Sequence, residues 1–290
     1  LFKGLFPPLS FDQWNFYFNE YKKIPEFKII NYNMSLDEFK VIYYWEYAHR
    51  LIARLIGIAS IVPLLIIYLK FKDKLLKNLR YLIIFGLVCF QGFLGWFMVK
   101  SGLINNTDVS HYRLASHLTL ALIVLSLTFW FILENLRTNK FIFKINNNFL
   151  NLFFIIIIIQ IIMGAFLAGL NGGLLYNSWP DMNGSFIPDD INKVDLYKNN
   201  SLSNATVIQF YHRLIAYILV VFLIILNYFF YKQKIQSKSI VIFNFAIFFQ
   251  IILGILTLLT GVKIYYASLH QLGSVFVLTS FLFIYYKNTN

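Results

Sequence analysis

The sequence holds a single cysteine, Cys89, and places it inside an apolar run. Disulfides and cysteine-based metal sites are thereby excluded. Acidic residues are scarce as well: 13 Asp and Glu stand against 25 Lys and Arg, for a net charge of +12. No signal-peptide pattern opens the chain, which starts at Leu1 rather than at methionine. The period-two alternation of membrane barrel strands does not describe its apolar segments.

The positive charge would suggest nucleic acid if it were spread evenly, but it is not. It collects in three short connections and at the C-terminus: Lys70, Lys72, Lys74, Lys77 and Arg80; then Arg137, Lys140 and Lys144; then Lys232, Lys234 and Lys238; and finally Lys287. Only Asp73 and Glu134 oppose it there. This is the asymmetry of a membrane protein whose Lys- and Arg-rich connections face the cytoplasm, and it excludes nucleic acid as a partner.

What the sequence has in abundance is hydrocarbon. Hydrophobic residues make up 59% of the chain and the mean hydropathy is +0.65, against roughly 45–50% apolar in soluble domains. The excess falls in runs such as Ile58–Leu69, Leu152–Leu170 and Leu214–Tyr231, and about 20 apolar residues span a bilayer core as a helix. The pattern predicts seven spans, over 41–69, 79–100, 112–134, 150–170, 205–231, 239–261 and 266–286. Two long polar connections, 1–40 and 171–204, fall on the outer side. Their aromatic and turn residues suggest ordered caps.

The chain also repeats itself. Glu46-Tyr-Ala-His49-Arg50-Leu-Ile-Ala53 resembles Gln209-Phe-Tyr-His212-Arg213-Leu-Ile-Ala216. Gln91-Gly-Phe-Leu-Gly95 resembles Gln250-Ile-Ile-Leu-Gly254, and the segment around His117 resembles that around His270. The matches keep their order and their membrane orientation, so the halves are parallel repeats. The second half has four spans and the first has three. An eighth helix is therefore expected before Leu1, in a longer parent chain.

Four of the five histidines occupy repeat-equivalent places, His49 with His212 and His117 with His270. Each is placed one to two turns inside the outer end of its span. Ionisable residues within a span are costly and point to function. Two imidazoles from facing helices suit six-coordinate heme iron, whose other four ligands come from the porphyrin. Zinc would need further Cys, Asp, Glu or His near each pair, and the second half offers no such carboxylate. His111 has no repeat partner and reads as a loop residue. Arg50 and Arg213, each following a histidine, are candidates for the heme propionates, with Arg54 and Arg113 behind them; interface snorkelling is the plainer alternative.

The halves differ where Glu46 in one matches Gln209 in the other. Glu46 precedes His49 by one helical turn and shares its face. An acid at the edge of hydrocarbon suits proton transfer, so one half is expected to do chemistry and the other to store or relay electrons. An ion pair between Glu46 and Arg50 is the structural alternative. The motif Gln-x-x-x-Gly recurs a third time at Gln160 and Gly164. Gly95, Gly164 and Gly254 read as packing residues near the porphyrin faces.

At these residues the chain resembles the heme A synthase family of bacteria and mitochondria. The resemblance rests on the segments around Glu46–Arg50, Met98–Leu103, Tyr112–His117, Phe210–Arg213 and Leu269–Ser274. Pro7-Pro-Leu-Ser10 and Ile187-Pro-Asp-Asp190 resemble its alphaproteobacterial and mitochondrial branch.

The resemblance implies an all-α polytopic membrane protein made of two pseudo-symmetric four-helix bundles in tandem, with the first helix missing here. The outer connection would cover 1–40 and the N-terminal half-bundle with the substrate heme 41–140. The C-terminal bundle would cover 141–290, including the outer connection 171–204. It implies heme b as cofactor at His212 and His270, heme O as substrate at His49 and His117, and Glu46 as the essential acid. The implied reaction oxidises a methyl group of heme O to formyl, giving heme A for cytochrome c oxidase. Expected partners are a heme O synthase, an electron donor, membrane lipid and a second copy of the chain. The expected location is the bacterial inner membrane, or the mitochondrial one in a eukaryote, with the hemes near the outer face. Some members carry a cysteine pair in the outer loops, which this chain lacks. The alternative is a diheme b-type electron-transfer cytochrome without substrate turnover. A paired-repeat transporter is disfavoured by the apolar midplanes.

Overall fold

The structure is a computed structural model and describes residues 6–70, 79–102, 107–136, 139–141, 144–191, 193–198 and 200–288. Lys72, Asp73, Lys74, Lys77, Arg137 and Leu103 lie outside the described residues. Seven helices among them are long and apolar enough to cross a membrane, with mean hydropathy between 1.6 and 2.7 in their most apolar windows. They are α3 (Leu36–Lys70), α4 (Leu79–Gly102), α5 (His111–Leu136), α6 (Asn147–Gly169), α7 (Ala205–Lys232), α8 (Lys238–Leu259) and α9 (Ile264–Asn288). Two shorter helices, α1 (Phe11–Tyr21) and α2 (Pro25–Ile29), precede them. The chain is an all-helical, multi-pass membrane protein.

The helices start where polar side chains can satisfy their free N–H groups. Asn204 accepts from Thr206 N and Val207 N at the start of α7, and Asn146 accepts from Asn148 N at the start of α6. α3 begins five residues before the apolar pattern predicted. Its start is a capping box: Ser35 Oγ accepts from Glu38 N (3.3 Å) and Glu38 Oε2 accepts from Ser35 N (2.8 Å). Pro63 lies inside α3, a substitution that membrane helices accommodate better than soluble ones.

The chain forms two compact units, Leu1–Leu120 and Ala121–Asn290, divided within α5. In the first, α1 packs on the outer turns of α3 through an aromatic core of Trp14, Phe18, Tyr21, Phe39 and Tyr43. Trp14 meets Tyr43 edge-on at 5.0 Å and Phe18 meets Phe39 at 5.2 Å. The described part of the outer connection, 6–40, is thus a small helical cap with its own core. Inside it the Tyr21 hydroxyl donates to Glu26 (3.1 Å) and accepts from Asn31 (2.8 Å). Burial pushes the Glu26 carboxyl above its usual range and the Tyr21 phenol up to about 12.

In the second unit α6 packs on α7 and α8 on α9, around Phe153, Leu226, Phe243, Leu278 and Phe281. Asn227 and Asn244 exchange two side-chain hydrogen bonds (2.8 and 2.7 Å) between α7 and α8. The segment before α6 is tied to the end of α9. Phe141 N donates to Lys287 O (2.8 Å), and Asn288 bonds both the N–H and the carbonyl of Ile145.

Candidate functional site

Each histidine-bearing helix carries one of the four repeat-equivalent residues: His49 on α3, His117 on α5, His212 on α7 and His270 on α9. The extra outer turns of α3 put His49 more than three turns after its helix start, deeper than the one to two turns expected. Measured from the opposite, Lys- and Arg-rich ends, the four agree. The spacings to Lys70, Leu136, Lys232 and Asn288 are roughly 27–32 Å at 1.5 Å per residue.

In the second unit the rings of His212 and His270 face each other with centroids 6.4 Å apart and planes 78° apart. A metal–imidazole bond of about 2 Å places a ring centroid about 3 Å from the metal, so two rings sharing one metal sit about 6 Å apart. The observed separation is that of two imidazoles around one shared metal. Among the described residues no group of three His, Cys, Asp or Glu converges as a metal site, which leaves each imidazole pair without a third protein ligand.

A glycine lies under three of the four rings. A Cβ at Gly95 would stand 2.9 Å from His117 Cε1, one at Gly164 3.2 Å from His212 Cε1, and one at Gly254 2.9 Å from His270 Cε1. The Gln-x-x-x-Gly motif is thus a cradle for an imidazole. The glycines, expected from the sequence to be packing residues near the porphyrin faces, pack against the histidine rings.

The glutamine one turn before each glycine meets the same histidine. Gln91 Nε2 donates to His117 O (3.0 Å) and lies 3.3 Å from His117 Nε2. Gln160 Nε2 lies 3.4 Å from His212 Nε2. Gln250 Nε2 donates to His270 O (2.9 Å), and His270 Nδ1 donates to Gln250 O (3.1 Å). The motif stood out in the sequence with a role for its glycines only, and none for these glutamines. Their threefold recurrence one turn before a glycine was the available signal.

A model of cytochrome oxidase assembly proteins, the COX15-CtaA family, matches residues 1–282. The chain belongs to that family. It is 57% identical over 290 residues to the heme A synthase of Pelagibacter ubique (strain HTCC1062), covering 100% of this chain and 86% of that protein. It is 40% identical over 295 residues to the heme A synthase of Rickettsia conorii, covering 98% and 86%. A third relative, the heme A synthase of Wolbachia pipientis, is 39% identical over 287 residues, covering 97% and 84%.

Within this family member the two halves use their matched acid and amide differently. Glu46 forms an ion pair with Arg50 on α3, the alternative weighed from the sequence, and both side chains are about a third exposed. His49, one turn on from Glu46, is exposed. Its counterpart region is closed by the connection over 171–204. Gln209 is 1% exposed and its amide donates to Tyr176 O (3.0 Å), a bond that a carboxylate could not make.

Arg213 donates to three backbone carbonyls of the same connection: Tyr176 O (2.9 Å), Ser178 O (3.0 Å) and Asp181 O (2.7 Å). Its Nε is buried without a partner. The Ser178 hydroxyl, with Gly184 N–H and Arg213, holds the Asp181 carboxyl below the usual carboxylate range. Asn177 donates to Leu258 O (2.9 Å), which ties the cap to α8. His111 and Arg113, at the start of α5, lie against Tyr112 (4.0 Å) and Phe97 (5.3 Å), while Arg54 Nη1 is buried without a partner.

Proposed function

We propose that the chain is a heme A synthase, a multi-pass membrane enzyme that oxidises a methyl group of heme O to a formyl group and so makes heme A for cytochrome c oxidase. The observation that carries this reading is the cradled imidazole pair, His212 facing His270 at 6.4 Å, in a chain whose relatives bear that activity along nearly their whole length.

In this reading the half over 141–290 holds heme b between His212 and His270, beneath the connection 171–204. A bis-histidine heme supplies electron transfer, because its iron has no open position. The half over 41–140, capped by 1–40, receives heme O at His49 and His117. Glu46 is the base. Converting a methyl to a formyl group breaks C–H bonds and brings in one oxygen atom, from water or dioxygen, and the protons released need an acceptor beside the ring. Arg50 pairs with Glu46 on the same face of α3 and holds the carboxylate in place one turn before His49. Arg50 and Arg213 are the cations for propionates, and the buried Arg213 Nε is a donor still to be matched. The histidines of α3, α7 and α9 lie toward the helix ends opposite Lys70, Lys232 and Lys287. That placement supports heme sites near the outer face of a bacterial inner membrane. A heme O synthase and an electron donor are the matching partners.

The test is Glu46→Gln and His49→Ala in cells supplied with heme O, with hemes extracted and separated. Heme A should fall sharply while heme B persists. Normal heme A output from both variants rejects the assignment. A protein that never yields heme O, heme A or an intermediate is instead an electron-transfer cytochrome.

A further inference from the structure

The repeat-equivalent histidines His117 and His270 meet equivalent glutamines, Gln91 and Gln250, yet the contacts differ at the ring. His270 Nδ1 donates to the backbone carbonyl of Gln250 (3.1 Å). A carbonyl only accepts, so this bond places the proton on Nδ1 and leaves the Nε2 lone pair free. Gln250 keeps its amide on the backbone of His270, away from the ring nitrogens (2.9 Å). In the first unit the Gln91 amide spans two acceptors, His117 O at 3.0 Å and His117 Nε2 at 3.3 Å. The lone pair that a metal would need is there engaged by an amide N–H. His117 Nδ1 is buried and has no acceptor.

A single repeat difference accounts for this. A Cβ on Gly273 would lie 2.1 Å from Gln250 Oε1. The notch left by the glycine therefore houses the Gln250 amide. It also allows α9 to approach α8 closely enough for the ring-to-carbonyl bond. The matching residue three positions after His117 is Leu120, which is buried. At the matching position the first unit has this side chain in place of the notch.

We infer that Gln91 makes His117 an exchangeable ligand, by offering its ring nitrogen an alternative partner, whereas Gly273 and the Gln250 carbonyl make His270 a fixed one. Gln160 makes the same contact with His212 Nε2 (3.4 Å), so in carbonyl-fixed rings the two halves differ at His270 alone, and one fixed ring is what holds the resident cofactor. The first has none fixed by a carbonyl among the described residues. The inference rests on the proposed ligand roles and adds to them a reason for the division of labour. A substrate that must enter, and a product that must leave, need a ligand that lets go. A resident cofactor needs one that does not. Gln91 acts through His117 and is a positioning residue.

The experiment follows heme transfer from detergent-purified holoprotein to excess apomyoglobin, with extraction to assign each kinetic phase to heme B or to heme O and A. Gln91→Met keeps the length and volume of the side chain and removes its donor. It should slow the heme O and A phase roughly two- to tenfold, the worth of one neutral hydrogen bond, and leave the heme B phase unchanged. Gly273→Ala should speed the heme B phase and leave the other alone. An unchanged or faster heme O and A phase in Gln91→Met, or a change in both phases alike, overturns the inference. His117→Ala separates the levels. If it removes the heme O and A phase while Gln91→Met has no effect, only the inference falls. If it leaves every phase and heme content untouched, the ligand assignment itself falls.

Discussion

Replacing the cradle glycines by alanine pits two opposing effects against each other. Alanine favours a helix over glycine by about 1 kcal/mol. Against this, the new Cβ at Gly95 or Gly254 would stand 2.9 Å from an imidazole carbon. Ordinary contact begins near 3.5 Å, so the ring must retreat by roughly half an ångström. Overpacking of that kind costs about 1–3 kcal/mol. The net loss falls on the ligand, because the ring is what moves. A loss of up to about 2 kcal/mol corresponds to a roughly thirtyfold weaker hold on heme.

Gly164, at 3.2 Å, demands a smaller retreat and should come out near neutral. Gly92, one turn before Gly95 on the same helix, has nothing within 4 Å of its Cβ position, and neither has Gly57 or Gly86. These three should tolerate alanine without loss of heme. The assay is heme content and the low-spin absorption spectrum of each purified variant, normalised to protein. The expected order of damage is Gly95 and Gly254 first, then Gly164, then Gly92, Gly57 and Gly86. Gly95→Ala should deplete heme O and A, and Gly254→Ala heme B. Equal damage from Gly92→Ala and Gly95→Ala, or full heme in Gly254→Ala, would refute the idea that the motif exists to seat a ring.

Two further outcomes concern the cap over 171–204. Arg213→Met removes three bonds to its carbonyls, each worth about 1.5–3 kcal/mol when the donor is charged. Hydrogen exchange of the amides around Tyr176–Asp181 should therefore quicken at least tenfold, and exchange at the wild-type rate would show that the clamp is idle. Asp181 is held ionised below the ordinary carboxylate pKa, so its contribution is fully present above about pH 4 and is lost as pH falls through the lowered folded value. Cap protection should be flat from neutral pH to about 4 and then drop. In Asp181→Asn that drop should vanish, and a drop that persists in the variant assigns it to another group.

The seven spans were legible in the sequence because a helix that crosses hydrocarbon needs only length and apolarity, both local properties. Their ends were less so. The start of α3 at Leu36 depends on the Ser35–Glu38 capping box, which lies outside the apolar run that marks the span. The four histidines became candidates for a different reason: the repeat singles them out, although equivalent places acquired unequal surroundings, with His49 exposed and His212 set against Gly164.

Sequence alone thus determined the class of the protein and its spans, and the repeat singled out four histidines as candidates. What those residues touch was decided only by tertiary structure. Gly95 and His117 are 2.9 Å apart at the would-be Cβ, as are Gly254 and His270, although each pair comes from different helices. No pattern along one helix reports such a distance. Arg50 and Arg213 hold the same repeat position, yet one pairs with Glu46 and the other clamps a distant cap. Likewise, the exchange of Glu46 for Gln209 looked purely chemical until the fold brought Tyr176 O to the amide of Gln209. A hydrogen bond is a short-range, directional contact between atoms far apart in the chain, and only the packed helices bring such atoms together.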